Sequence, residues 1–138
     1  MVYPGERFSS EITLSPALVA AYAQAAGDSN PVHHDPEFAS STRFGRLIAS
    51  GTHTTALLLG LTASHFSKQA AMLGLEFWVQ FRRAIYADER IRLDWLVVKV
   101  TPNDKLGGVV VELRGRIKGQ DGTTALGAKG RVLDTSRL

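Results

Sequence analysis

HTTALLLGLTASHFSK, residues 53–68, follows Ser50-Gly51-Thr52 and spreads Leu57, Leu58, Leu59, Leu61, Ala63 and Phe66 over most of a helix's circumference. A helix that is apolar on nearly every side belongs in the middle of a domain. What comes after it changes period from 3.6 to 2. In LEFWVQFR, residues 75–82, the apolar side chains Leu75, Phe77, Val79 and Phe81 alternate with Glu76, Trp78, Gln80 and Arg82, the pattern of a strand with one buried face. Three further strand-like runs follow, Ile91 to Thr101, Gly108 to Lys118 and Thr123 to Leu133. Asn103-Asp104 and Asp121-Gly122 punctuate them as turns, and such short connections imply antiparallel neighbours. A sheet with one apolar face must cover it, and the helix starting near Gly51 is the only element large enough. The expected fold class is α+β, an antiparallel β-sheet curled round a long central helix.

Upstream, FSSEITL (Phe8 to Leu14) reads as a first strand. Ser15-Pro16 is an N-cap followed by a first-turn proline. Leu18, Val19, Tyr22 and Ala26 then repeat at helical spacing, and Gly27 stands where a helix end calls for positive φ. Asp35-Pro36 repeats the cap signal for a short helix over Glu37 to Ser41, before a loop from Arg43 to Ile48. The chain of 138 residues suits one domain, residues 1–138, with no repeat, low-complexity tract or linker.

Composition narrows the function classes. Hydrophobic residues make up 44% and charged residues 21%, ordinary for a folded domain and far from disorder. The absence of cysteine excludes disulfides, thiolate metal sites and cysteine nucleophiles, and it fits a reducing compartment. MVYPGERFSS carries Glu6 and Arg7 with no apolar core, unlike a secretory signal, and ALLLGLTA is too short to span a bilayer. A cytoplasmic protein with no membrane partner is the expectation. The net charge of +3 is spread along the chain, which argues against nucleic acid and leaves anionic small molecules or an acidic carrier protein as partners.

Between the two helix ends lies GDSNPVHHD, Gly27 to Asp35. Pro31 fixes its own φ and steers Asn30 away from helical angles, so Asp28 to His33 should form an extended or turned loop, stiff enough to aim two side chains at one point. A carboxylate and an imidazole meeting there can hold a water between them, one taking its proton while the other orients it or donates. Asn30 is placed to pin the loop through its amide. Acid–base chemistry on a carbonyl compound also needs a donor for the developing oxyanion. The backbone N–H of Gly51, at the start of the central helix, supplies one that a substrate oxygen can approach closely. Taken alone, an Asp–His pair in such a loop serves structure as readily as catalysis. His34 reads as a bystander, and His53 and His65 as helix-surface or packing residues. HTTAL is not HExxH and HHD lacks a further matched ligand, so neither a metal nor any other cofactor is expected.

AAGDSNPVHHDPEFASSTRFGRLIASGTHTTALLLGL, residues 25–61, resembles the hydratase signature of the MaoC-like (R)-specific enoyl-CoA hydratases and 3-hydroxyacyl dehydratases. Gly27, Asp28, Asn30, Pro31, Val32 and His33 match its core in order and spacing. The resemblance implies a hot-dog fold, a homodimer or higher homo-oligomer, a role in fatty acid metabolism, and a substrate that is an acyl thioester of coenzyme A or acyl carrier protein. It further implies that Asp28 and His33 activate water for addition to C3 of a trans-2-enoyl thioester, or run the reverse dehydration, while the Gly51 amide holds the thioester oxygen. Asn30, Pro31, Ser50 and Thr52 would support them. Many members read His-Gly-Met where this chain has Ser50-Gly51-Thr52, and some carry a hydroxyl near the position of Leu59. Thr52, Thr54 and Thr55 are nearby substitutes. Arg43, Arg46, Arg82 and Arg83 are candidates for the anionic end of the substrate. Two alternatives stay open: a hot-dog acyl-CoA thioesterase, and a non-catalytic acyl-thioester-binding or regulatory hot-dog protein.

Overall fold

The computed structural model describes residues 1–136 and 138. Strand β1 (Arg7–Thr13) leads into helix α1 (Pro16–Ala25), a 3-10 turn (Pro31–His33), the short helix α2 (Pro36–Ser40) and the long helix α3 (Gly51–Phe66). Four strands follow: β2 (Ala71–Phe81), β3 (Arg90–Asn103), β4 (Gly108–Lys118) and β5 (Thr124–Thr135). They form one antiparallel sheet in the order β1-β3-β4-β5-β2.

The turns at Asn103-Asp104 and Asp121-Gly122 make hairpins of β3–β4 and β4–β5, as their sequences predict. The first long strand does not pair with its successor. β2 lies against β5 at one edge of the sheet, and the segment from Arg82 to Glu89 carries the chain across the end of the molecule to β3. That crossing is what brings residues 82–87 beside the start of α3.

Both predicted caps form. The Ser15 hydroxyl accepts from the Leu18 amide, and the Asp35 carboxylate accepts from the amides of Glu37 and Phe38. Each such cap contributes about 1 kcal/mol. Gly27 closes α1 at φ 75°, a conformation costly for any residue with a Cβ.

The sheet's inner face packs on α3, and Trp95 joins the two layers. Its indole N–H donates to the Leu58 carbonyl across 2.8 Å, so a large apolar ring is buried with its one polar atom satisfied. Gly115, opposite Trp95 in the ladder, makes room for the ring, since a Cβ there would stand 2.5 Å from its edge. This helix in a curled sheet is the expected α+β hot-dog architecture.

Two expectations need correction. α3 is not enclosed all round: His53, Thr54, Leu58, Thr62 and Phe66 are buried, whereas Ala56, Gly60 and Ala63 face outward. β2 starts at Ala71, and a bulge between Gly74 and Glu76 takes Leu75 out of the inward row and leaves it exposed. Phe77 and Val79 keep their inward places. No helix among the described residues is long and apolar enough to cross a membrane.

Candidate active site

The loop after α1 is built from short-range hydrogen bonds. The Asp28 carboxylate accepts from the Asn30 amide at 3.0 Å, and the Asn30 side-chain oxygen accepts from the Val32 amide at 3.3 Å, which starts the 3-10 turn at Pro31. The turn is tighter than an extended loop, and it swings His33 inward to 6% exposure. His34 is more than a bystander: its Nε2–H donates to the Asp28 carbonyl at 2.8 Å and closes the loop.

The His33 ring is held from behind. Its Nδ1 lies 2.7 Å from the Ile48 carbonyl, which can only accept, so Nδ1 carries the proton and donates. In the neutral ring Nε2 is then an acceptor, and it stands 3.3 Å from Oδ2 of Asp28. With the ring neutral, two acceptors lie side by side. A water on their cavity side, within reach of both, can donate one hydrogen to each, which leaves its oxygen lone pairs turned toward whatever occupies the cavity. The segment that supplies Ile48 is itself fixed on both sides, since the Ile48 amide donates to the Val32 carbonyl and the Ala49 amide to the Ile85 carbonyl.

Asp28, Asn30 and His33 share one cavity of about 870 Å³ with Ser50, Gly51, Thr52 and Thr54. A space of that size suits a ligand of many heavy atoms. Gly51 is the first residue of α3, so its amide has no acceptor within the helix. Tyr22 steadies this helix start, its hydroxyl donating to the Thr52 carbonyl at 3.2 Å. The hydroxyls of Thr54 and Thr55 both donate to the Gly51 carbonyl, and Thr52 faces the buried Ser50 at 3.5 Å. Leu59 is not among the residues lining the cavity.

Phe38, Phe44, Ile48, Phe81, Ile85 and Leu126 supply apolar wall. Phe81 matters most. The ring lies where a Cβ on Gly51 would be, within 2.6 Å of that position, although it is 58% exposed. Its place in the alternating run was visible; its position over Gly51 depends on the crossing of the chain after β2.

The four arginines separate. Arg43 and Arg82 line the cavity, and neither has a carboxylate within ion-pair distance among the described residues. Arg46 stacks on Tyr86 at 3.8 Å and reaches Asp88, outside the cavity lining. Arg83 lines the cavity, but its guanidinium donates to Glu89 at 2.9 Å and Asp121 at 3.1 Å, which ties the wall of the site to the β4–β5 turn. Glu89 is buried, and that alone pushes its carboxyl up. The Arg83 hydrogen bond, the amides of Gln120 and Tyr86 and the Arg83 charge outweigh burial and hold it below the usual carboxylate range. A carboxyl depressed in the folded state stabilises the fold above its unfolded value, about 4.3, and that contribution is lost as pH falls through the folded value. Urea midpoints measured down a pH series should therefore drop below about pH 4.3 in the native protein, and Glu89→Gln should be less stable at neutral pH with a flatter acid limb.

The other histidines pack, as expected. His53 stacks on Tyr22 with ring centroids 4.4 Å apart, and burial lowers its pKa, which keeps it neutral. His65 stacks on Phe8 and meets the Glu6 carboxylate at 2.6 Å.

A family model described as a MaoC like domain matches residues 3–118. An unliganded (R)-hydratase, PhaJ1 of Pseudomonas aeruginosa, superimposes with a TM-score of 0.88 at 20% identity, over 98% of this chain and 83% of the other. The (R)-hydratase from A. caviae involved in PHA biosynthesis gives 0.86 at 25% identity, over 96% of each chain. A structure described as a monoamine oxidase regulatory protein from Archaeoglobus fulgius gives 0.81 at 24% identity, over 97% and 92%. No curated protein sequence matches the chain. A family model spanning most of the sequence, on a hot-dog fold shared with (R)-hydratases, makes this protein a member of the MaoC-like hydratase and dehydratase family.

Proposed function

We infer that the cavity adds water across the C2–C3 double bond of a trans-2-enoyl thioester to give an (R)-3-hydroxyacyl thioester, or runs the reverse dehydration. The observation that carries this reading is the approach of His33 Nε2 and Asp28 Oδ2, 3.3 Å apart, in one cavity with the Gly51 helix start. A water held by both gives one proton to the pair as its oxygen bonds to C3. The electron pair of the double bond moves through C2 onto the thioester oxygen, where the Gly51 amide donates to the developing negative charge. The protonated member of the pair then returns a proton to C2. The net change is H and OH, with nothing oxidised or reduced, so the residues need no cofactor, and coenzyme A or acyl carrier protein enters only as part of the substrate.

The apolar wall of Phe38, Phe44, Phe81 and Ile85 suits the acyl chain. The free edge of β2, with Leu73 and Leu75 exposed, and the uncovered Ala56 side of α3 support a homodimer. Crotonyl-CoA hydration, followed as loss of the conjugated enoyl absorbance, tests the reaction, with longer and branched enoyl esters to map the acyl wall. Steady hydration with no free thiol is expected. Thiol release without hydration would make the protein a thioesterase. Binding without turnover would make it an acyl-binding or regulatory protein, a reading that the Archaeoglobus structure described as a regulatory protein keeps in view.

A further inference from the structure

Beyond the cavity mouth, three cations on the outward face of the sheet have no carboxylate in ion-pair range among the described residues. Arg82, at the mouth, folds back so that its guanidinium lies over Gly127; a Cβ there would sit 3.6 Å from Nε. Gly127 is flanked in the ladder by Arg116 and Gln80. One row on, Trp78, Lys129 and Arg114 stand directly opposite one another across β2, β5 and β4, all three exposed. Trp78 is 78% exposed, unusual for the largest apolar side chain. Arg116 has Asp94, and Arg131 has Glu76, but Arg82, Lys129 and Arg114 have no carboxylate within 4.0 Å among the described residues. Like charges directly opposite across two strands destabilise a sheet.

The row is also concave. A groove of about 410 Å³ runs beside Trp78, with Lys129 and Arg114 along it and Val98 at its side. Arg131 lines it too, paired with Glu76 and opposite Glu112 in the ladder, so the two carboxylates of the lining sit on the Arg131 row and the unpaired cations on the Trp78 row. That is the size of a small ligand and too confined for the broad contact of a protein partner. An exposed aromatic face with cations beside it is the chemistry that binds a purine ring carrying phosphates. Trp78 lies four residues from Arg82 along the strand, about 13 Å, a span that a pantetheine arm leaving the cavity bridges.

We propose that this groove binds the adenine nucleotide of a coenzyme A thioester, with Trp78 stacking on the purine and Arg82, Lys129 and Arg114 taking its phosphates. The assignment rests on the thioester reading of the cavity and adds to it the carrier: a nucleotide, not an acidic protein. Lys129 and Arg114 answer a charge that the cavity itself does not hold, and they account for an opposed pair that only weakens the free sheet.

The test has a binding arm and a kinetic arm, both on the intact protein. Adenosine 3′,5′-bisphosphate is titrated by calorimetry into the native protein, the double variant Lys129→Gln/Arg114→Gln, and Trp78→Ala. Binding should weaken about ten-fold in each variant, the scale of two exposed charge pairs or one stacked ring. KM for crotonyl-CoA should rise by a similar factor, with no matching rise for crotonyl-pantetheine, which lacks the nucleotide. No binding to the native protein, equal affinity in the variants, or equal KM changes for both esters would overturn the proposal. So would a changed oligomeric state in Trp78→Ala, which would make this face a contact between copies, or a variant effect seen only with a carrier-protein substrate. Nucleotide binding that depends on Lys129 in a protein that hydrates neither ester would remove the catalytic reading while leaving the groove assignment standing.

Discussion

Asp28→Asn is expected to lower hydration of a trans-2-enoyl thioester by about 10²–10⁴-fold, the usual worth of a positioned acid–base group, with folding unchanged. The substitution is isosteric, and the Asn30 amide keeps an oxygen acceptor, so the loop retains its shape. What changes is the group facing His33. In place of a second acceptor 3.3 Å from Nε2, the ring meets an NH2 that can donate to it directly, which ties up the lone pair that would receive the water's proton. His33→Ala should lose activity on the same scale, but less cleanly. It vacates a buried position and strips the Ile48 carbonyl of its donor, a change costing about 1–3 kcal/mol, so its circular dichroism and urea midpoint must be read beside its rate. Turnover near the native value in correctly folded Asp28→Asn would rule out the pair as the source of acid–base chemistry.

Gly51→Val should cost about 10²–10³-fold in turnover, the scale of one lost oxyanion donor. A Cβ at this position would fall 2.6 Å and 2.9 Å from two atoms of the Phe81 ring, well inside contact distance. The ring is half exposed and can swing, so the helix start survives while the branched side chain shields the amide. The double variant Gly51→Val/Phe81→Ala separates two causes. If removing the ring restores the rate, the loss came from a displaced Phe81. If the rate stays low, the side chain itself keeps the thioester oxygen from the amide, as the proposed mechanism requires. Full activity in Gly51→Val alone would mean the oxyanion is stabilised elsewhere.

Local signals in the sequence carried far. Ser15, Asp35 and Gly27 bound their elements through hydrogen bonds and a φ preference spanning a few residues, and such preferences do not wait for the rest of the fold. The same holds for GDSNPVH, whose turn is set by Asp28, Asn30 and Pro31 on their own neighbours. What escaped was set by distant parts of the chain. That β2 pairs with β5, and not with β3, follows from how the sheet closes round α3, and the alternating pattern of LEFWVQF is the same in either case. The bulge that expels Leu75 is marked only by Gly74, which lies just outside the alternating run LEFWVQF. Arg83 reads as a free cation until the crossing segment brings Glu89 and the β4–β5 turn to it. Arg82, its neighbour in sequence, turns the other way, over Gly127, and meets no carboxylate among the described residues.

The donor that fixes the His33 ring meets no side chain. It meets the carbonyl of Ile48, and a carbonyl is present whatever residue occupies position 48. Selection on that position sees only an apolar side chain packing at the cavity wall, so its sequence history should read as that of an ordinary hydrophobic site. The tautomer of the ring is thus inherited through the path of the backbone. It can be disturbed by inserting or deleting a residue in the loop before α3, or by a proline at position 48, which would remove the amide that donates to the Val32 carbonyl.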